Sequence, residues 1–269
     1  MMKQSIGIFD SGVGGLSVLR EILALMPNED VIYFGDQRHV PYGPRPMKQI
    51  QDFSEGITRF LLAHHAKIII VACNTASAAA LKYLREVFPD VQFVGMEPAI
   101  KPAAEKTQTG KVGVLATPAT FQGALYASVV ERFANGVELY QNTCNGLVQQ
   151  IEMGNLNGTE TRRILENALH PMLEKNIDTV VLGCTHYPFA IPLIEEIVGK
   201  NVRVIDPAPA VAKQAKRLLE ASGTLNQNGG EIRYVTSGDA GAVRSVLNLL
   251  LDLDGNVETV KWKNDREIL

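Results

Sequence analysis

Cysteine is scarce in this sequence. There are three in 269 residues, an odd number with none in C-x-x-C spacing, which argues against a disulfide framework and a zinc knuckle. No apolar run reaches about 18 residues and no secretory pattern opens the chain, so nothing calls for membrane insertion or export. An excess of one charge is also missing. The net charge is −3 with the signs interspersed, which gives no footprint for nucleic acid or anionic lipid. These absences point to a cytoplasmic protein with reduced thiols that engages neither nucleic acid nor membrane.

Several chemical motifs are missing too. Asp10-Ser11-Gly12-Val13-Gly14-Gly15 lacks the lysine of a P-loop, and Leu16-Ser17 after Gly15 break the G-x-G-x-x-G pattern. A phosphatase-like Cys-x5-Arg loop fails at Cys73 and at Cys184, because Ala79 and Ala190 stand where arginine is needed. No lysine marks itself as a pyridoxal phosphate anchor. A metal site of Cys73, Cys184 and His186 has no fourth ligand at suggestive spacing. The expectation is a protein without metal or cofactor.

What is present is organised around two stretches. IIIVACNTASAAAL (Ile68 to Leu81) and TVVLGCTHYP (Thr179 to Pro188) each run through aliphatic residues to a cysteine. Short runs dense in Val and Ile read as parallel strands buried on both faces. Ligands bind off the carboxyl ends of such strands, which is where both thiols fall. Around them the chain alternates strands and helices. SIGIFD (Ser5 to Asp10) leads through a glycine-rich turn to a helix, and VIYFGD (Val31 to Asp36) leads to a loop with three prolines. Met47 to His65 carries Ile50, Phe53, Ile57 and Leu61 on one helical stripe. The predicted fold class is α/β, in two similar open parallel-sheet domains with the site at their interface.

The pattern restarts near Lys111. VGVLATP at Val112 resembles IGIFDSG at Ile6, 106 residues earlier, and Cys184 lies 111 residues after Cys73. Two similar offsets predict two related halves, each presenting a cysteine. Proline pairs at Pro98 and Pro102 and at Pro207 and Pro209 are candidate hinges. The tail is expected to pack back on the first half, giving a discontinuous first domain (1–97 plus 207–269) and a second domain (98–206).

Each motif has a plain reading beside the chemical one. Asp10 closes a strand at an anion-binding turn, where it could orient an amine or a catalytic side chain; the turn alone is an ordinary strand-to-helix connection. Cys73 precedes a helix that Asn74 or Thr75 could cap, and the helix dipole favours its thiolate; a buried structural cysteine reads the same way. Cys184-Thr185-His186 is more informative, since an imidazole two residues on can share a proton with the thiol. Cys144 reads as structural. His39, His64, His65 and His170 read as surface or packing residues, and Glu152 by itself as a surface helix acid. A binding protein with inert cysteines remains an alternative. If both thiols face one carbon, one can remove a proton from one side while the other delivers a proton from the opposite side, which inverts a stereocentre.

Taken together, IGIFDSGVGGLSVLREI, the GD and PYGPRP of residues 35–46, ACNTAS, the EPA near Glu97 and LGCTHYP resemble the glutamate racemases. These are cofactor-independent enzymes of the aspartate/glutamate racemase superfamily that supply D-glutamate for peptidoglycan. The resemblance runs from residue 6 to about 210. It implies Cys73 and Cys184 as the acid/base thiols, with Asp10 assisting the first and His186 the second, and Glu152 as a further catalytic residue. It implies Asp10, Ser11, Tyr42, Gly43, Asn74, Thr75, Thr185 and His186 as substrate-binding residues. The expected partners are glutamate and a second copy of the chain in a homodimer. The loop GDQRHVPYG departs from the commoner GDTAR form, which leaves Gln37, Arg38 and His39 without assigned roles. The short stretch before the first strand implies that the extension by which some members sense a cell-wall precursor is absent. The rival within the superfamily is aspartate racemase, which usually opens on a GGMGP-like turn; a related decarboxylase would need only one thiol.

Overall fold

The structure, a computed structural model, describes residues 4–269. In the first half, β1 (Ser5–Asp10), α1 (Leu16–Leu25), β2 (Val31–Gly35), α2 (Met47–Ala63), β3 (Ala66–Val71), α3 (Asn74–Val87) and β4 (Phe93–Gly95) alternate as the periodicity predicts. Then follow α4 (Ile100–Lys106), β5 (Lys111–Ala116), α5 (Pro118–Gln122), α6 (Ala124–Phe133), β6 (Glu138–Asn142), α7 (Leu147–Glu152), α8 (Thr159–Leu173), β7 (Thr179–Gly183), α9 (Ile191–Val198) and β8 (Arg203–Ile205). The tail contributes α10 (Ala208–Ser222), β9 (Ile232–Thr236), α11 (Ala240–Leu251), β10 (Val257–Thr259) and a small antiparallel hairpin of β11 (Trp262–Asn264) and β12 (Glu267–Ile268).

Two parallel sheets carry the site. One has the order β10-β9-β2-β1-β3-β4, the other β6-β5-β7-β8. Four consecutive strands of the first sheet, β2-β1-β3-β4, repeat the order of the second, with β1, β2, β3 and β4 in the places of β5, β6, β7 and β8. Register agrees with order: Phe9 pairs with Val71 and Leu115 with Leu182, so the two offsets seen in the sequence describe one repeat. The chain therefore folds as two α/β domains. Their central strands are apolar away from their ends because helices cover both faces. In β3, Ile68 and Ile70 face the core under α1 and α10, while Ile69 and Val71 face the core under α2 and α3.

The stripe read from α2 is real: Ile50, Phe53, Ile57 and Leu61 are all buried. The helix stops two residues short of His65, which takes a left-handed backbone (φ 62°) to turn into β3. Among the described residues, no helix is long and apolar enough to cross a membrane.

Candidate active site

The carboxyl ends of β1 and β3 face those of β5 and β7 across a narrow cavity. Cys73, two residues past β3, and Cys184, the residue after β7, both line it. So do Ser11, Tyr42, Gly43, Asn74, Thr75, Thr185 and His186 among the residues singled out from the sequence, joined by Pro41, Thr117 and Val148. Asp10 and Glu152 are absent from this lining and stand behind it. The cavity has about 20 Å³ of room, enough for a single water, which needs roughly 10–15 Å³ by this measure. A larger ligand therefore enters only when the walls move. An adjoining cavity of about 240 Å³ shares Pro41, Gly43, Thr117 and Val148 with it.

Cys73 caps α3 with its own sulfur, which accepts from the Ala76 N–H at 3.4 Å. Asn74 and Thr75, expected as caps, lie within the first turn instead. That frees their side chains. Asn74 is 2% exposed, yet neither its amide oxygen nor its nitrogen finds a partner among the described residues. A buried amide facing a cavity with its hydrogen bonds unmade is prepared for a polar ligand. Thr75 bonds Thr117 across the interface at 2.9 Å. Cys73 also lies 3.8 Å from the Ser11 hydroxyl. The helix start was expected to favour its thiolate. Burial, reinforced by the nearby Asp10 carboxylate, instead pushes the thiol well up, and the Ala76 N–H only partly offsets this. Burial thus favours the neutral thiol at Cys73.

The Cys184 side is built differently. Its sulfur lies 3.7 Å from His186 Nδ1, and His186 Nε2 lies 2.6 Å from Glu152 Oε1. Burial pulls the imidazole down, but the Cys184 sulfur and the Glu152 carboxylate outweigh it and hold His186 well above its ordinary 6.5. Burial raises Glu152 in turn, and the bonds from His186, the Val13 N–H and Gln37 overcome that, leaving it below its ordinary 4.5. The plain reading of Glu152 as a surface acid is thus wrong. Its side chain is 13% exposed and its partners come from residues 13, 37 and 186.

The glycine-rich turn also differs from expectation. Its amides do bind carboxylates, but the protein's own: the Gly12 N–H donates to Asp10 Oδ1 at 2.8 Å and the Val13 N–H to Glu152 Oε1 at 2.9 Å. The glycines leave space for the opposite half. A Cβ on Gly14 would sit 2.4 Å from His186 Nδ1, and one on Gly12 would sit 2.0 Å from Glu152 Oε1. Asp10 Oδ2 accepts from the Thr185 hydroxyl at 3.0 Å. Burial pushes the Asp10 carboxyl up, against the pull of His186 and the Gly12 N–H; Glu152 adds to the rise and Thr185 opposes it.

Sequence reasoning missed Thr117, Pro41 and Val148. The repeat could have found Thr117, since the 106-residue offset that matches Ile6 to Val112 also places it opposite Ser11. It also missed Asp36, fully buried, which accepts from Tyr42 (2.6 Å), Ser237 (2.6 Å) and the Trp262 indole (2.8 Å) and contacts His39 Nδ1 (2.9 Å). This carboxylate roots the loop that carries Tyr42 and Gly43. His39 stacks on Phe53 with centroids 3.9 Å apart, the packing role expected. Cys144 is buried, pushed up to about 12 by burial, and lines the adjoining cavity instead of the thiol site. Among the described residues, no group of three or more His, Cys, Asp or Glu side chains could hold a metal ion.

Known proteins resemble this chain in sequence and in fold. Residues 6–215 match the family model described as Asp/Glu/Hydantoin racemase. A glutamate racemase of Pseudomonas aeruginosa (strain UCBPP-PA14) is 51% identical over 221 residues, 82% of this chain and 83% of that protein. The crystal structure of glutamate racemase from Francisella tularensis in complex with D-glutamate superposes with a TM-score of 0.85 at 33% identity, covering 97% of this chain and 98% of that one. That of the Escherichia coli enzyme, in complex with L-glutamate and the activator UDP-MurNAc-ala, gives 0.84 at 30% identity over 99% of both chains. On these grounds the chain belongs to the Asp/Glu/hydantoin racemase family and, within it, to the glutamate racemases.

Proposed function

We propose that this chain interconverts L- and D-glutamate by a two-thiol acid/base mechanism, supplying D-glutamate for peptidoglycan. The observation that carries this reading is the placement of Cys73 and Cys184 at equivalent positions of two repeated halves, lining one cavity. Glutamate lies between them, its carboxylates and ammonium held by Ser11, Tyr42, Gly43, Asn74, Thr75 and Thr185. The unpartnered Asn74 amide is the plainest of these sites.

In the L to D direction, Cys184 takes the Cα proton while Cys73 gives its own proton to the opposite face. Cys184 ends as thiol and Cys73 as thiolate, ready for the reverse reaction. His186, held above its ordinary value by the Cys184 sulfur and the Glu152 carboxylate, sets its Nδ1 3.7 Å from that sulfur. Asp10 holds Thr185 and stands near Cys73, so both it and Glu152 act through the residues that line the cavity.

The domain division that goes with this reading is 1–97 plus 207–269 and 98–206. Its support is that β9 and β10 extend the first sheet and the second sheet draws on β5 to β8 alone; residues 1–3 lie outside the described residues. A cytoplasmic homodimer completes the proposal. The test is proton exchange at Cα in deuterated water, run on each glutamate enantiomer and on aspartate without added cofactor. Exchange and inversion of both glutamate enantiomers are expected. Activity on aspartate with none on glutamate would overturn the substrate, and exchange with neither would overturn the reaction.

A further inference from the structure

Gln37 opens the loop after β2 and belongs to the first half of the molecule, yet its side chain reaches the relay of the second. Its Nε2 donates to Glu152 Oε2 at 2.7 Å, from 115 residues away in sequence. The other carboxylate oxygen is already engaged by the Val13 N–H and His186 Nε2. Among the described residues, Oε2 accepts from Gln37 alone. Gln37 is firmly mounted. A Cβ on Gly238 would sit 2.5 Å from the Gln37 Cβ, and the next amide, Arg38 N–H, donates to the Ser237 hydroxyl at 3.1 Å. That hydroxyl in turn donates to the buried Asp36.

The amide's own oxygen is buried without a partner among the described residues. A side chain that leaves its acceptor unused while its donor makes a short bond is held in place for the donor. Neutrality matters as well. A lysine or arginine here would compete with the imidazolium as counter-charge to Glu152. A carboxylate would repel it. An amide fixes Glu152 without altering the charge of the pair.

We infer that Gln37 is a positioning residue for the Cys184 half of the reaction. It fixes the Glu152 carboxylate, so that His186 bonds Glu152 through Nε2 and presents Nδ1 to the Cys184 sulfur. This rests on the two-thiol reading above, in which Cys184 serves the L-enantiomer. Because L- and D-glutamate are equal in energy, kcat/KM must fall alike in both directions for any variant. The faces have to be read separately.

The probes are 3-chloro-L-glutamate and 3-chloro-D-glutamate. Once a thiolate removes the Cα proton, the electron pair left behind forms a Cα–Cβ double bond and expels chloride. The enamine that results hydrolyses to 2-oxoglutarate and ammonia. Gln37→Met keeps the length and removes the donor. It should slow elimination from the L-form about tenfold, short of the roughly 10²–10⁴-fold that an acid/base group itself contributes, and change the D-form less than about twofold.

The titratable groups around Glu152 are His186, with Cys184 beyond it, and Asp10 and Tyr33 behind the glycine-rich turn. None of these is altered by the substitution. Loss of the N–H donor makes the carboxylate easier to protonate. The acid limb of the L-form profile should therefore move to higher pH in Gln37→Met, further in Gln37→Glu, and back in Gln37→Lys, which restores a donor. Cys184→Ser is measured beside them. If it loses the L-form selectively while Gln37→Met slows both forms equally with an unmoved acid limb, Gln37 is only structural and the inference falls alone. If Cys184→Ser itself slows both forms alike, the assignment of faces falls and takes the inference with it.

Discussion

The two halves share strand order and register but differ in how each surrounds its thiol. Cys73 sits at the start of a 14-residue helix and takes an amide N–H on its sulfur. Past Cys184 the chain instead turns through a 3-10 segment, Tyr187–Ala190, before α9 begins. No long helix starts at the sulfur, and an imidazole supplies the positive charge. On the first side, burial and a neighbouring carboxylate outweigh the helix start and favour the neutral thiol. On the second, the carboxylate is paired with the imidazole and strengthens it. Repetition of the fold has placed the sulfurs symmetrically, and the side chains have then made them unequal.

The largest test of this contrast removes one sulfur at a time. Cys73→Ala and Cys184→Ala should each reduce racemisation by about 10³-fold or more, within the range of lost acid/base groups. The serine variants should keep only traces. With the chlorinated analogues, Cys184→Ser should retain elimination from the D-form and Cys73→Ser from the L-form. Full racemisation by any single variant would end the two-thiol account.

A smaller effect is expected on the Cys73 side from Asp10→Asn. The amide keeps an acceptor for the Gly12 N–H and relieves a buried charge. Turnover should drop at least about tenfold while the melting temperature barely moves. A large fall in Tm at unchanged turnover per folded molecule would make Asp10 structural.

Gly14→Ala probes the seam itself. The new methyl would collide with His186 and Thr185, so a loss of about 1–3 kcal/mol is expected from overpacking, measured by urea unfolding. His186→Ala in the same background should recover part of it. No recovery would place the strain elsewhere.

The smallest effect concerns pH. Glu152 lies below its ordinary 4.5, so its contribution is present above that value and is lost as the pH falls. His186 lies above its ordinary 6.5, so its contribution is full below that value and is lost as the pH rises through the elevated one. The stability lost in Glu152→Gln should thus be greatest between pH 4.5 and 6.5 and shrink on either side, with a maximum on the order of 2 kcal/mol, as for a charge-assisted hydrogen bond. A difference that is flat with pH would mean that the pair is not ionised.

The strands, the cysteines and the repeat were legible because a parallel strand buried on both faces writes itself as an unbroken aliphatic run. Register then carries the offset of one run into the next. Glu152 was legible as a site residue through the resemblance alone and not from its own surroundings, because an acid at the end of a short helix looks the same whether it meets water or an imidazole 34 residues on. Its neighbours are decided by which face of α7 meets the other half. Asp36 hid for the same reason, its donors arriving from residues 42, 237 and 262. The state of Cys73 was misjudged because a helix start is visible in sequence, whereas the depth of burial that overrides it is not.

Trp262 is the single tryptophan of the chain. Its indole N–H rests on Asp36, whose other oxygen holds the Tyr42 hydroxyl, and Tyr42 lines the thiol cavity. The molecule therefore carries its one indole two hydrogen bonds from a side chain of the cavity wall, with the His39 ring 5.3 Å away. A shift of Tyr42 would reach the indole through a shared carboxylate, so the emission of Trp262 is expected to change when a ligand moves that wall.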